Sequence, residues 1–253
     1  MKRSVIVITL VIGMIFSCCA FPGDKKGAPG KQKGFALIEL FSSEGCSSCP
    51  PAEKLMRKLI HNADSLQLPV YVLEFHVDYW DYLGWKDTLA SSSYTQRQQN
   101  YGDFFRLNSI YTPQAVVNGK YEMIGSDEDK INQSVVNELS DSSSYSIACT
   151  VNKLTGPKIE VEYNIAGNVS GNIINFAVME SNLVTYIKKG ENANKTLIHD
   201  NAVRVFRSVK PDSAKGKISI DIQHINLNHC KLVCFLQNID SGKIIAAEQL
   251  KIE

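Results

Sequence analysis

The hydrophobic positions of the chain follow different periods in its two halves. Residues 35–41 and 69–77 are nearly continuous apolar runs, which is typical of strands buried on both faces of a helix-covered sheet. Between them, residues 50–62 carry apolar side chains at helical spacing, with charged residues on the other face. This β-α-β pattern predicts an α/β domain, with a central sheet and flanking helices, over residues 35–142.

The rest of this domain is predicted to contain two more helices and a hairpin. Residues 88–107 have a helix-compatible sequence, and residues 127–139 place apolar side chains on one helical face. Between them, short strands over residues 115–117 and 121–124 flank an Asn-Gly turn, which indicates a hairpin.

From about residue 145 onward, strand-like alternation dominates, and a Ser-rich break over residues 141–144 precedes it. About seven short strands separated by Gly, Asn, Asp and Pro predict an all-β, sandwich-like domain over residues 143–253. The predicted strands are 145–151, 158–165, 173–180, 203–209, 217–225, 231–237 and 243–252.

Composition and charge narrow the class of function. Hydrophobic residues make up 44% and charged residues 21% of the 253 positions, as in ordinary globular proteins. Lys and Arg (27) nearly balance Asp and Glu (26), so no strong positive field attracts nucleic acid. We therefore expect no nucleic-acid partner.

The N-terminus has the pattern of an export signal. Basic residues precede an apolar run of about 12 residues, shorter than the roughly 20 of a membrane-spanning helix, so residues 1–17 are the expected signal peptide. Residues 15–18 (IFSC) resemble the bacterial lipobox, which implies lipid attachment at Cys18. The alternative is cleavage nearby, for instance after Ala20. Residues 18–34 are expected to form a lipid-anchored flexible linker, because most of this segment is rich in Gly, Pro and Lys.

A cysteine pair stands between the first buried strand and the first helix. Cys46 and Cys49 enclose two serines and precede Pro50 and Pro51, and these prolines belong in the first helical turn. Unpaired backbone N–H groups at a helix start stabilise a thiolate. We therefore expect Cys46 to be an exposed attacking thiol and Cys49 to be the resolving thiol.

Two other roles of the pair stay open, namely an inert disulfide and half of a zinc site. Zinc requires further thiolate or imidazole ligands, and the sequence has no second CxxC, although His76 on the second strand can lie near the pair. We predict redox chemistry without a metal or any other cofactor.

The order strand, GCSSCP, helix, strand, followed by YTPQAVVNG at residues 111–119, resembles the thioredoxin superfamily. This resemblance implies that Pro113 is cis and faces the cysteines, and that the backbone of Thr112 pairs with substrate. It also implies that Glu39 is a buried acid that accepts the proton of the resolving thiol. The other interpretation of Glu39 is an edge residue that points to solvent.

A closer resemblance is to a bacterial family of secreted thioredoxin-like proteins of unknown function. It rests on residues 45–51 (GCSSCPP), 76–87 (HVDYWDYLGWKD) and 111–119, and it also includes residues 196–204. It implies no particular substrate. Compared with a minimal thioredoxin, residues 78–108 form an insertion that we expect to be helical.

The aromatic segment after the second buried strand leaves from a carboxyl strand end, where ligands bind in α/β sheets. Trp80, Tyr82 and Trp85 are therefore candidates for the wall of a substrate groove. The alternative is that these rings pack the insertion onto the domain. His76 is a candidate for proton transfer, and it shares a strand face with Asp78 as a candidate relay, ligand pair or plain hydrogen bond.

These features predict a thiol-disulfide oxidoreductase in an exported bacterial lipoprotein that faces the periplasm or the cell surface. Its expected partners are the membrane, through the lipid, and a thiol- or disulfide-bearing protein or small thiol. The alternative is a non-catalytic thioredoxin-like binding protein whose CxxC is a structural disulfide or a metal clamp. We expect Cys149, Cys230 and Cys234 to supply at most one further disulfide.

Overall fold

The structure, a computed structural model, describes residues 32–153 and 156–252. The predicted signal peptide, Cys18 and most of the predicted linker lie outside these residues. Within the described ranges, no helix is long and apolar enough to cross a bilayer.

The first half of the described chain alternates strands with helices. Proline residues begin the first helix, and side chains of Ser91 and Asp127 cap the N-termini of the second and third. The elements are β1 (Gln32–Lys33), β2 (Ala36–Ser42), α1 (Pro50–Leu66), β3 (Val70–His76), a 3-10 helix (Asp78–Leu83), α2 (Ser92–Phe105), β4 (Gln114–Val117), β5 (Tyr121–Ile124), α3 (Glu128–Ser140) and β6 (Ser142–Ser143).

The second half consists of strands and one short 3-10 helix. Each of the strands predicted from residue 145 onward is present, with ends that differ by a few residues. The elements are β7 (Ser146–Lys153), β8 (Lys158–Ala166), β9 (Asn172–Glu180), β10 (Leu183–Tyr186), β11 (Thr196–His199), β12 (Ala202–Val209), β13 (Lys215–Asp221), a 3-10 helix (Leu227–His229), β14 (Cys230–Asn238) and β15 (Ile244–Lys251).

One large mixed sheet contains strands from both halves of the chain. Its order is β15-β14-β9-β12-β3-β2-β4-β5, in which β2 and β3 are parallel and β12 joins β3 in parallel where Ala202 faces Glu74. A separate three-stranded sheet has the order β13-β8-β7. The protein is therefore a mixed α/β protein with a large mixed sheet and few helices. The sequence pattern predicted most of the strands of both halves, but it predicted neither β10 and β11 nor the union of the two halves in one sheet.

Alternating side chains place different layers on the two faces of the large sheet. On one face, residues such as Leu37, Phe75 and Phe235 pack with the aromatic side chains of α2. On the other face, residues such as Ile38 pack with α1 and α3, while Phe176 packs with the three-stranded sheet. The cysteine pair begins the helix on this second face.

Candidate functional site

Cys46 and Cys49 form a disulfide at the junction of β2 and α1, with their Cα atoms 5.5 Å apart. Cys49 is the residue that precedes α1, and the two prolines occupy the first helical positions, as predicted. Both cysteines are fully buried, whereas the two serines between them are exposed. The expectation of an exposed sulfur at Cys46 is wrong for this disulfide form, because neighbouring segments cover it.

The turn before β4 lies beside the exposed edge of the CxxC segment. The Thr112–Pro113 peptide bond is cis, as the resemblance implies. Ser48 Oγ lies 3.4 Å from the carbonyl oxygen of Thr112, and Trp80 Nε1 donates to Thr112 Oγ1 at 2.8 Å. Trp80 therefore holds the residue that precedes the cis proline.

The three aromatic residues proposed as a groove wall have different surroundings. Trp80 lies close to Gly45, where an added Cβ would be 2.9 Å from Trp80 Cβ. Trp85 Nε1 donates to Glu44 Oε2 at 2.7 Å. Both tryptophans therefore contact the segment just before Cys46, whereas Tyr82 is 78% exposed.

A loop from the second half of the chain covers the cysteine pair. Strands β10 and β11 form an antiparallel hairpin, and residues 187–195 connect them. The buried side-chain amide of Asn192 donates to the carbonyl oxygens of Glu44 and Cys46, at 2.9 Å each. The Ser47 N–H donates to Glu191 Oε2 at 3.0 Å. The sequence did not predict this loop at the site.

Six buried acidic and basic side chains form a cluster next to the CxxC segment, which we call the carboxylate–histidine cluster. None of the six is more than 6% exposed. They come from the loop before Cys46, from α1, from β3, from the segment before α2 and from β11. Its members are Glu44, Glu53, Glu74, His76, Asp87 and His199.

Asp87 holds the ring of His76 in this cluster. His76 Nδ1 lies 2.7 Å from Asp87 Oδ2, and the same carboxylate accepts the backbone N–H groups of Glu44 and Leu89 at 2.9 Å. Because the carboxylate accepts, Nδ1 is the nitrogen that donates. His76 Nε2 then faces Glu74 Oε1 at 3.4 Å.

The predicted pairing of His76 with Asp78 is wrong. Strand β3 ends at His76, and Asp78 begins a 3-10 helix. The two side chains therefore do not share a face of one strand. Asp78 instead accepts a hydrogen bond from Thr95 Oγ1 at 2.6 Å. Asp87, which is distant in sequence, takes the position beside His76.

His199 contacts three carboxylates of the cluster. Its Nε2 lies 3.3 Å from Glu44 Oε1, and its Nδ1 lies 3.5 Å from Glu53 Oε2 and 3.7 Å from Glu74 Oε1. Its ring meets that of His76 edge-on, with centroids 4.8 Å apart. His199 therefore links the hairpin to β3 and to the segment that carries Cys46.

The carboxylates and imidazoles change one another's pKa. Burial lowers the pKa of His76 and of His199, but the neighbouring carboxylates outweigh it and raise the pKa of both. Burial raises the pKa of Glu74, yet the two histidines bring it below its usual value. Burial, with Glu74 nearby, raises the pKa of Glu53.

Glu39 lies on the other face of β2. Strand alternation groups it with Leu37 and Phe41, which pack toward α2 and not toward α1. It is fully buried and binds Arg97 Nη2 at 2.8 Å, so the solvent-facing interpretation is wrong. The structure does not bring Glu39 to Cys49, whereas Glu53 lies in the first turn of α1, the helix that follows Cys49.

The other described cysteines form no disulfide within residues 32–153 and 156–252. Cys149, Cys230 and Cys234 are buried free thiols. Burial, with Glu180 nearby, raises the pKa of Cys230 to about 12. Burial also raises the pKa of Cys234, so Cys230 and Cys234 are protonated at neutral pH and are poor nucleophiles.

The fold and this site define a mixed α/β protein with a CxxC disulfide at the start of a helix. The chain belongs to a family described as "Protein of unknown function (DUF1223)", whose sequence profile matches residues 37–237. The crystal structure of protein AGR_C_4864 from Agrobacterium tumefaciens is similar, with a TM-score of 0.65 and 29% sequence identity. That match covers 87% of this chain and 95% of the other.

More distant likenesses concern only part of the chain. A domain of the outer membrane lipoprotein Omp28 from Porphyromonas gingivalis has a TM-score of 0.29 and 9% identity, covering 44% of this chain and 89% of that domain. A β-glucuronidase from Ruminococcus gnavus has a TM-score of 0.25 and 11% identity, covering 44% of this chain and 15% of that enzyme chain. Neither supports a functional conclusion. No curated protein sequence matches the chain.

Proposed function

We propose that the protein is an extracytoplasmic thiol-disulfide oxidoreductase with a thioredoxin-like first half and a lipid anchor at Cys18. The observation that carries the proposal is the position of the CxxC. The pair stands at the start of helix α1, with Cys49 directly before it. Ser48 Oγ, between the two cysteines, lies 3.4 Å from the carbonyl oxygen of Thr112, the residue before the cis proline. A helix N-terminus stabilises a thiolate, so the reduced pair is suited to exchange.

The proposed reaction transfers two electrons between the cysteine pair and a substrate. In the reduced protein, the Cys46 thiolate attacks a substrate disulfide, forms a mixed disulfide and releases one substrate thiolate. The Cys49 thiolate then attacks Cys46 Sγ, closes the intramolecular disulfide and releases the second substrate thiolate. The substrate is reduced and the protein is oxidised. The reverse sequence oxidises a substrate dithiol.

Substrate access in this scheme requires movement of the loop over residues 187–195. Both sulfurs are buried in the disulfide form, and the Asn192 amide binds the backbone on both sides of Gly45. The exposed serines and Thr112 border the same edge, where an extended chain can pair with the Thr112 backbone. We therefore propose a protein or peptide that carries a disulfide or a dithiol as the substrate class.

A trapping experiment tests the exchange reaction. The Cys49→Ser variant retains the attacking thiol but lacks the resolving thiol, so mixed disulfides with substrates should accumulate. The matched Cys46→Ser variant leaves only the buried second cysteine and should trap far less. Equal trapping by the two variants, or none by Cys49→Ser under conditions in which a known oxidoreductase traps substrates, would contradict the proposal.

The burial of both sulfurs favours a second candidate function, in which the disulfide is structural and the protein is a binding module. In that case the loop over residues 187–195 is a fixed part of the fold, and the disulfide resists reduction. Thiol-based metal binding requires both cysteines in the reduced form.

A further inference from the structure

We propose that Glu74, His76 and His199 form a binding site for a divalent transition-metal ion of the zinc class. This site uses no sulfur ligand and is separate from the CxxC. The proposal therefore does not depend on the redox function, and it differs from a clamp in which the two cysteines hold the ion.

The distances of the two histidines from Glu74 fit one ion. One ligand atom from each residue lies within 4.8 Å of the others. His76 Nε2 and His199 Nδ1 lie 3.4 Å and 3.7 Å from Glu74 Oε1. Ligand atoms around a tetrahedral zinc ion, each about 2.0–2.1 Å from the metal, are about 3.4 Å apart.

Backbone geometry explains why these residues converge. Glu74 and His76 are two positions apart on β3, so both point to the sheet face on which α1 packs. His199 is the last residue of β11, and the neighbouring Ala202 joins β12 to β3 opposite Glu74. Two ligands therefore come from one strand, and the third comes from the second half of the chain.

The ligand atoms lack other partners within the described part of the chain. Glu74 Oε1, His76 Nε2 and both ring nitrogens of His199 accept or donate no hydrogen bond there, although all are buried. The contacts of His76 Nε2 and His199 Nδ1 with Glu74 Oε1, at 3.4 Å and 3.7 Å, do not meet the criteria for a hydrogen bond. Buried polar atoms are otherwise almost always paired, so unpaired ligand atoms that converge on one point indicate a bound group.

The orientation of His76 is that of a supported metal ligand. Asp87 accepts the hydrogen bond of Nδ1–H at 2.7 Å and is itself fixed by two backbone N–H groups. This leaves the Nε2 lone pair directed toward Glu74. In many zinc sites, a carboxylate that accepts the second ring N–H of a histidine ligand fixes its tautomer and raises the basicity of the metal-binding nitrogen.

The charge of the cluster also favours a cation. Its four carboxylates form ion pairs only with histidines among the described residues. These four carboxylates outnumber the two imidazoles of the cluster. A dication bound by two neutral imidazoles brings the same charge of +2 as two imidazolium rings, so it can replace them as the counter-charge of these buried carboxylates.

The ligand types select the class of metal. Imidazole nitrogen suits Zn²⁺, Cu²⁺, Ni²⁺ and Fe²⁺, whereas Mg²⁺ and Ca²⁺ prefer oxygen ligands alone. Two histidines and one carboxylate are a set that proteins use for zinc, with a further coordination position left open. Glu44 and Glu53 flank His199 and can orient a water molecule or another group at that position.

Zinc titration of the full chain tests this site. After removal of metals with a chelator, the wild-type protein should bind one Zn²⁺ per chain in calorimetry, with Ca²⁺ far weaker. His199→Gln and Glu74→Gln should abolish this binding, and Asp87→Asn should weaken it about 10–100-fold. His61→Gln is the matched control, because His61 is an exposed histidine on α1 and should not affect binding.

A double variant separates this site from the cysteine pair. Zn²⁺ binding should persist when both Cys46 and Cys49 are replaced by serine, even if thiol exchange is lost. X-ray absorption at the zinc edge of the wild-type protein should give a first shell of nitrogen and oxygen without sulfur, a result that needs no folded variant. Failure of the stripped wild-type protein to bind Zn²⁺, or a sulfur-containing shell, would overturn the proposal.

Discussion

At the scale of single residues, Arg97 connects the two halves of the molecule. Its guanidinium pairs with Glu39 on β2 and contacts Gln237 on β14 at 3.2 Å. It also lies over aromatic rings from both halves, with 4.8 Å to the Phe206 centroid and 5.6 Å to that of Phe75. Glu39, to which the thioredoxin resemblance gives a role in thiol chemistry, is therefore paired with Arg97 in this structure.

Removal of Arg97 should destabilise the protein strongly. Arg97→Met leaves the Glu39 carboxylate buried without its cation, which costs about 3–5 kcal/mol in comparable buried pairs. The double variant Arg97→Met/Glu39→Met removes both charges and should recover much of that loss. Urea unfolding of the three proteins measures these free energies. A double variant no more stable than the single variant would contradict this explanation.

At the scale of elements, the β10–β11 hairpin brings residues of the second half to the site. It carries His199 into the carboxylate–histidine cluster and Asn192 onto the backbone of the CxxC segment. Several of its apolar side chains are exposed, including Val184 (66%) and Tyr186 (52%). The side chains of Asn192 and His199 therefore attach the hairpin to the site by polar contacts.

Loss of the Asn192 side chain should accelerate reduction of the disulfide. Asn192→Ala removes two buried hydrogen bonds, each worth about 1 kcal/mol, so the opened state should become about tenfold or more populated. The rate of reduction by a small thiol, followed by alkylation and mass spectrometry, measures this change. Lys188→Ala, at an exposed position of the same loop, is the control and should leave the rate unchanged. An unaltered rate in Asn192→Ala would show that the loop does not limit access.

At the scale of the whole molecule, the continuous sheet makes the two halves interdependent. Strand β12 pairs with β3, and one apolar layer joins Leu37 and Phe75 of the first half with Val203 and Phe235 of the second. A fragment that contains residues 35–142 alone would expose this layer and an unpaired strand edge.

The fragment over residues 35–142 should therefore fail to fold cooperatively. We expect it to lack a sharp thermal transition and a native near-ultraviolet circular dichroism signal, whereas residues 32–253 should show both. The measurement also tests the two-domain organisation that the sequence pattern predicts. A cooperative transition of the isolated fragment would establish an independent first domain.

Local patterns made much of this structure predictable. The two prolines indicated where α1 begins, and alternation indicated most strands of the second half although not β10 and β11, because both signals act over a few neighbouring residues. The Thr112–Pro113 turn followed from its resemblance to a known motif. These features placed the cysteine pair correctly at the start of a helix.

The surroundings of the pair could not be predicted in the same manner, because they depend on contacts between distant segments. Asp87, Asn192 and His199 reach the site from loops and a short hairpin whose sequences carry no catalytic pattern. The spacing of apolar residues also could not show which face of the sheet Glu39 lies on, since both faces of β2 are buried. The order of the strands and the packing of α1 and α2 on opposite faces of the sheet determine where these side chains lie.

The central claim, that Cys46 and Cys49 form an exchangeable redox pair, is tested most directly by the reduction potential of the disulfide. Equilibration of the protein with glutathione buffers, followed by alkylation and mass analysis of this pair, measures it. We predict a potential within the range of thiol-disulfide oxidoreductases, between about −120 and −270 mV. A potential below about −300 mV, as in stable structural disulfides, would contradict the claim.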